Sequence, residues 1–265
     1  QVTDAMIQYL QLESELGGYE AAAAAAKNIE AFYTTTARII STNQKQIAWM
    51  SSATEAYNKA LSAIPFAEGD VILTSQDDYV SNQIAFLQLS LQKGIRVVHI
   101  PDLETGGIDL QAFEEQMRKY QPKLVAITHI PTNSGLIQDA VTIGQICQNF
   151  DCWYLLDACQ SFGQLPLNVK AIGCDFLSAT FRKFLRGPRG AGFLYCSERV
   201  LMEGLEPLFP DLHGATWTAV DKYHCRADAR KFEQWEKPYA LVMGSTAAMD
   251  YALEIGIEQI RDRVQ

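Results

Sequence analysis

Between residues 47 and 195 the chain alternates between short apolar runs and longer amphipathic ones, and no other feature narrows its possible folds as much. The apolar runs Ile47–Met50, Val71–Thr74, Arg96–Ile100, Leu124–Thr128, Trp153–Leu156, Asp175–Ala179 and Ala191–Tyr195 read as strands. Between the earlier ones, Glu55–Ile64, Asp78–Gln92, Leu110–Tyr120 and Ala140–Phe150 read as helices. Strands that are apolar on both faces have to be covered on both faces. Strands interleaved with helices therefore predict an α/β fold, a parallel sheet between two helical layers.

Residues 4–16 and 20–41 read as two further helices separated by Gly17-Gly18, the second opening on the alanine run Ala21 to Ala26. Residues 203–235 read as irregular, and Tyr239 to Gly256 as a long helix. At 265 residues the chain can bury one large core, so one domain is expected. A net charge of −9 sets up no field that attracts nucleic acid or an anionic membrane surface. The apolar runs fall far short of the roughly 20 residues needed to cross a bilayer, and no charged-then-apolar signal segment opens the chain, so a cytoplasmic protein is expected. The six cysteines contain no C-x-x-C pair of the kind that holds zinc, and no metal is expected.

In open parallel sheets ligands sit at the C-terminal ends of strands, and the polar clusters of this chain fall there. Asp157 and Gln160 follow the Trp153 strand; Thr180, Arg182 and Lys183 follow the Asp175 strand. Ala53 and Thr54, in SSATEA, sit where a strand turns into a helix whose N-terminus can bind an anion. Tyr79, in QDDYVSN, and Asn133, in HIPTNSG, follow two more strands. A carboxylate and a lysine at the mouths of neighbouring strands suit a site that holds a protonated heterocycle and bonds covalently to an aldehyde. Each residue also has a plainer reading: Asp157 as a helix cap, SSATEA as a capping sequence, Asn133 as a turn residue and Lys183 as a surface charge. The glycine-rich GPRGAG from Gly187 to Gly192 precedes a strand, so it reads as a tight return loop and not as a nucleotide-binding turn.

The segments DACQS and GCDFLSATFRKFLRGPRGAGFLY resemble the cofactor-binding signature of the class V aminotransferases, the family that includes cysteine desulfurases. The resemblance covers nearly the whole chain and implies the large domain of fold-type I pyridoxal 5'-phosphate enzymes. That domain is a three-layer αβα sandwich around a mostly parallel seven-stranded sheet. It implies that residues 1–265 form this cofactor-binding domain, that a small C-terminal domain and the extreme N-terminus lie outside the chain, and that the protein pairs as a homodimer.

By the same resemblance Lys183 forms the imine with pyridoxal 5'-phosphate and later shuttles protons. Asp157 keeps the pyridine nitrogen protonated, Gln160 meets the ring's phenolic oxygen, and Tyr79 stacks on the ring. Ala53, Thr54 and Thr180 take the phosphate, and Asn133 contacts the cofactor or substrate. The chain departs from the pattern at Arg182, where histidine is usual, at Tyr79, where desulfurases have histidine, and at Cys159, where alanine is common. Phe232-Glu233 matches, but Gln234-Trp235-Glu236 replaces the glycine-threonine pair that reaches a neighbouring subunit's phosphate. The implied activity acts on an amino acid, foremost C–S bond cleavage of cysteine or a related sulfur amino acid, as in a desulfurase or a cyst(e)ine lyase. Transamination, epimerisation and a non-catalytic regulatory module are the alternatives.

Overall fold

The computed structural model describes residues 1–265. One sheet contains seven strands: β1 (Ile47–Met50), β2 (Val71–Ser75), β3 (Arg96–Ile100), β4 (Leu124–Thr128), β5 (Trp153–Asp157), β6 (Phe176–Thr180) and β7 (Gly192–Cys196). Their order across the sheet is β1-β7-β6-β5-β4-β2-β3. Only β7 runs antiparallel, against both β1 and β6. The expected α/β sandwich with a mostly parallel sheet is therefore the observed one.

The helices are α1 (Val2–Leu16), α2 (Gly18–Ala24), α3 (Ala26–Ile39), α4 (Ala53–Ala63), α5 (Val80–Lys93), α6 (Leu110–Tyr120) and α7 (Ala140–Cys147). Short α8 (Val169–Ile172) and α9 (Glu198–Met202) follow, then α10 (Tyr239–Ile255) and α11 (Ile257–Val264). No helix is long and apolar enough to cross a membrane.

Side-chain parity along the strands separates two cores. Ile47, Trp49, Leu73, Val125, Ile127, Tyr154, Leu156, Leu177, Phe193 and Tyr195 pack on one face, with α3, α6, α7 and α10. Their alternating neighbours Ala48, Met50, Ile72, Leu124, Ala126, Trp153, Leu155, Phe176 and Leu194 pack on the other, with Tyr57 of α4 and Phe86 of α5. Successive strand residues point to opposite faces, which is why runs apolar throughout feed both layers.

Two expectations need correction. The alanine-rich segment is not one helix, because it breaks at Ala25 (φ −92°, ψ 9°) between α2 and α3. Ala21 and Ala25 are buried in a small cluster with Tyr9, Ala240 and Met243, a tertiary contact that alanine's helix propensity does not report. The segment 203–235 is not wholly irregular, for β8 (Ala215–Ala219) and β9 (Lys222–Cys225) form a separate antiparallel hairpin. Nearly every residue of that hairpin is exposed, so it carries no inside-outside alternation for a pattern to show.

Candidate active site

Continuing the strand parity one step places Thr74, Thr128, Asp157 and Thr180, each at or near its strand's C-terminal end, on the face covered by α4 and α5. There the chain forms a cavity lined by Ser52, Ala53, Thr54, Tyr79, Asn82, Thr128, Ile130, Thr132, Asp157, Cys159, Gln160, Thr180, Arg182 and Lys183. Its position at the C-terminal edge of a parallel sheet is the usual one for ligands in such folds.

The acidic wall is Asp157, only 4% exposed. Its Oδ1 accepts the backbone N–H of Cys159 at 2.9 Å and its Oδ2 accepts Asn82 Nδ2 at 3.2 Å. Beside it burial raises the Asp78 carboxyl above the usual range, although Thr128, Asn82, Gln83 and the Tyr79 N–H donate to it and act to lower it. Burial, and then the charges of Asp78 and Asp157, push the Tyr57 hydroxyl up, so this tyrosine stays neutral against the acidic pair. The Cys159 thiol is likewise held protonated, first by burial and then by the charge of Asp157.

The opposite charge comes from Arg182 and Lys183, on the loop that leaves β6. That loop closes tightly: Arg186 N–H donates to Lys183 O at 3.0 Å and Gly187 N–H to Phe181 O at 2.8 Å, with Arg186 at φ 58°. A non-glycine residue in this conformation is held there by its surroundings. The third wall is the N-terminus of α4. Ser52 caps it, its hydroxyl accepting Glu55 N–H at 3.0 Å, and the first-turn amides of Ala53 and Thr54 have no carbonyl within their own helix. Gly192 lets this turn seat against the sheet, since a Cβ there would stand 2.7 Å from Ala179 O and 3.0 Å from Ala53 N.

The charges on these walls are not neutralised within the chain. Asp157 makes no ion pair, and neither Arg182 nor Lys183 pairs with a carboxylate. A buried carboxylate without a cation is costly, and the arrangement suits a ligand that brings a protonated ring nitrogen to Asp157 and an anionic group to the α4 amides and Arg182. Pyridoxal 5'-phosphate has both groups, and an aldehyde for Lys183 besides, so the residues present fit it.

Of the residues singled out from the sequence, Ala53, Thr54, Tyr79, Asp157, Gln160, Thr180, Arg182 and Lys183 all line this one cavity. Gln160 Nε2 donates to Thr132 Oγ1 at 3.2 Å, and Thr180 Oγ1 donates to Ala191 O at 3.2 Å. Asn133 is the exception. Its exposed side chain turns away and donates from Nδ2 to Asp77 Oδ1 at 2.8 Å, and Thr132 takes the lining position instead. The turn is tight, with Gly135 N–H reaching back to Pro131 O, and it points neighbouring side chains in different directions. Sequence reasoning missed Asn82, Thr128 and Asp78. The spacing of Asp78 and Asn82, four residues apart at the start of a helix, was the available signal.

The family model described as aminotransferase class-V matches residues 1–265. A protein of Methanothermobacter thermautotrophicus named probable cysteine desulfurase is 32% identical over 265 residues, which cover 98% of this chain and 65% of that protein. The apo structure of a cysteine desulfurase from Thermococcus onnurineus superimposes with a TM-score of 0.88 at 25% identity, over 97% of this chain and 65% of that one. A cystine C-S lyase, solved with its product cysteine persulfide, is alike in fold with a TM-score of 0.88 at 21% identity, over 97% of this chain and 70% of that one. The chain thus spans just under two thirds of the length of this desulfurase relative.

Proposed function

Because this chain belongs to the class-V aminotransferase family, we propose that it is a pyridoxal 5'-phosphate enzyme that breaks the C–S bond of cysteine or a related sulfur amino acid. The observation that carries this reading is the meeting of Lys183, free of any carboxylate, with the buried and cation-free Asp157 in one cavity. Pyridoxal 5'-phosphate, when bound, supplies the carbonyl carbon that an amine attacks and a ring that takes up electrons released at the substrate's Cα. Lys183 Nζ is the amine that would bond that carbon and afterwards carry the Cα proton. Asp157 holds a proton on the ring nitrogen. The amides of Ala53 and Thr54, the Thr180 hydroxyl and the Arg182 guanidinium bind the phosphate, with arginine in place of the more usual histidine. Tyr79 packs on the ring and Gln160 meets its phenolic oxygen. Tyr79 can stack as a histidine would but brings no imidazole, the side chain that exchanges protons near neutral pH, and this difference favours a lyase releasing sulfide over a desulfurase handing sulfur on.

Homodimerisation is proposed with it. The β8–β9 hairpin exposes Trp217 to 77% and Val220 to 95%, and a two-stranded hairpin is not stable unsupported. Sedimentation of the full-length protein at twice the monomer mass would bear this out. Six unpaired cysteines, most of them buried, suit the reducing cytoplasm.

The deciding experiment incubates full-length protein with cysteine, cystine and a panel of other amino acids, and measures sulfide, alanine, pyruvate and keto-acid exchange. Sulfide with pyruvate is expected. Amino-group exchange without sulfide would transfer the reading to a transaminase, Cα inversion alone to an epimerase, and a cofactor-bearing protein inert to every amino acid to a regulatory module.

A further inference from the structure

Asn82 is buried to 3% exposure in the cavity wall, in the first turn of α5, and the roles above leave it unused. Its Nδ2 lies 3.0 Å from Asp78 Oδ1 and 3.2 Å from Asp157 Oδ2. Ionised carboxylates only accept, so the amide nitrogen, with two hydrogens, is the end of the side chain that can serve both. Each carboxylate receives one hydrogen. Asp157 is then held at both oxygens, by Asn82 at Oδ2 and by the Cys159 N–H at Oδ1, and rotation of its carboxyl plane would break one bond or both.

The far end of the bridge is itself anchored. Asp78 accepts from Thr128 Oγ1, from the Tyr79 N–H at 2.7 Å and from Gln83 Nε2 at 2.7 Å, and Gln83 Oε1 in turn meets His99 Nε2 at 3.0 Å. These contacts tie the start of α5 to β4 and β3, so Asn82 cannot drift without disturbing several of them. A local helix cap would need none of this, and Asn82 reaches instead across to β5, to a carboxylate 75 residues along the chain.

We propose that Asn82 is a positioning residue for Asp157: its amide, fixed by Asp78, sets the orientation in which the Asp157 carboxylate meets a protonated ring nitrogen. This rests on the cavity being a pyridoxal 5'-phosphate site. The role requires a shared double donor, and neither aspartate nor alanine at position 82 can supply one.

The test is a double-mutant cycle read by cofactor affinity. Full-length protein stripped of cofactor is titrated with pyridoxal 5'-phosphate, following absorbance and tryptophan fluorescence, for the unaltered protein, Asn82→Ala, Asp157→Ala and the pair. Asn82→Ala should weaken binding by about tenfold on its own, the scale of one hydrogen bond to a charged group, and by less than about twofold once Asp157 is gone. Asn82→Asp is nearly isosteric and should lose at least as much as Asn82→Ala, by setting a third acceptor between two others. Asn82→Leu, of similar shape and without a donor, replaces Asn82→Ala in the cycle should the alanine variant fail to fold. Equal losses in the two backgrounds would mean that Asn82 only supports the fold, and would overturn its role while leaving the cofactor reading intact. An unaltered protein that takes up no cofactor would sink both.

Discussion

Glu233 Oε1 accepts the backbone N–H of Trp49 at 2.8 Å, tying the segment before α10 to edge strand β1 across the interior. The other oxygen takes the Tyr33 hydroxyl at 3.1 Å, His213 Nε2 at 3.1 Å and the ammonium of Lys237, and the glutamate side chain has no exposed surface. Burial alone would raise this carboxyl, but His213, Lys237 and the Trp49 N–H outweigh it and hold it below the usual range. Glu233→Gln would strand the Lys237 charge in the core. A loss of about 3–5 kcal/mol is expected in urea unfolding, the usual cost of breaking a buried pair from one side. A loss below about 1 kcal/mol would show that the cluster adapts without the anion. Glu233's own contribution is present above its unfolded pKa near 4.3 and is lost as pH falls through its lower folded value.

His129 acts at higher pH and in its own window. Burial pushes its imidazole down to about 4, only partly offset by Asp139, and its Nδ1 has no partner. Unfolded histidine takes a proton near 6.5, so between 6.5 and about 4 the unfolded chain binds more protons and stability falls on acidification. From pH 7 to pH 5 the loss from this one group is about 2 kcal/mol. His129→Gln should flatten that part of the profile in urea titrations at the two pH values. An unchanged slope would show that the imidazole charges in place.

Borohydride reduction of the full-length holoprotein followed by peptide mapping should find the cofactor on Lys183. Attachment at Lys59, Lys231 or any other lysine would remove Lys183 from the role its place in the cavity suggests.

Asp157→Asn keeps the size of the side chain but can accept only one of the two local hydrogen bonds, because its amide nitrogen donates where the carboxylate accepted, and it cannot stabilise a pyridinium. Cofactor should remain bound while turnover falls on the order of 10² or more, about 2.7 kcal/mol of transition-state stabilisation. Near-normal turnover would leave Asp157 as no more than an acceptor for the Cys159 N–H.

Much of this was legible in the chain. Leu124 to Thr128 and Trp153 to Asp157 announce strands by composition, and strict alternation then places Thr128 and Asp157 on the same face with Leu124 and Trp153. The residues around Asp157 and Lys183 pointed to their cavity because each stands at a strand's C-terminal end or a few residues beyond it, and that placement is a local property of the sequence.

What the tertiary structure decided is which distant segments meet. The order β5-β4-β2 sets the helix that follows β2 against the end of β5, and so joins Asp78 and Asn82 to Asp157. Periodicity reports which face a residue takes but not which strand lies beside it, because neighbours in a sheet are chosen by the packing of all its strands and helices together. The same limit explains Asn133, whose turn sends Thr132 into the cavity and Asn133 to Asp77. It also explains the β8–β9 hairpin, which has no buried face to write a period into its residues. Local chemistry can thus be read along the chain, whereas contacts between segments far apart in it arise only when the whole core closes.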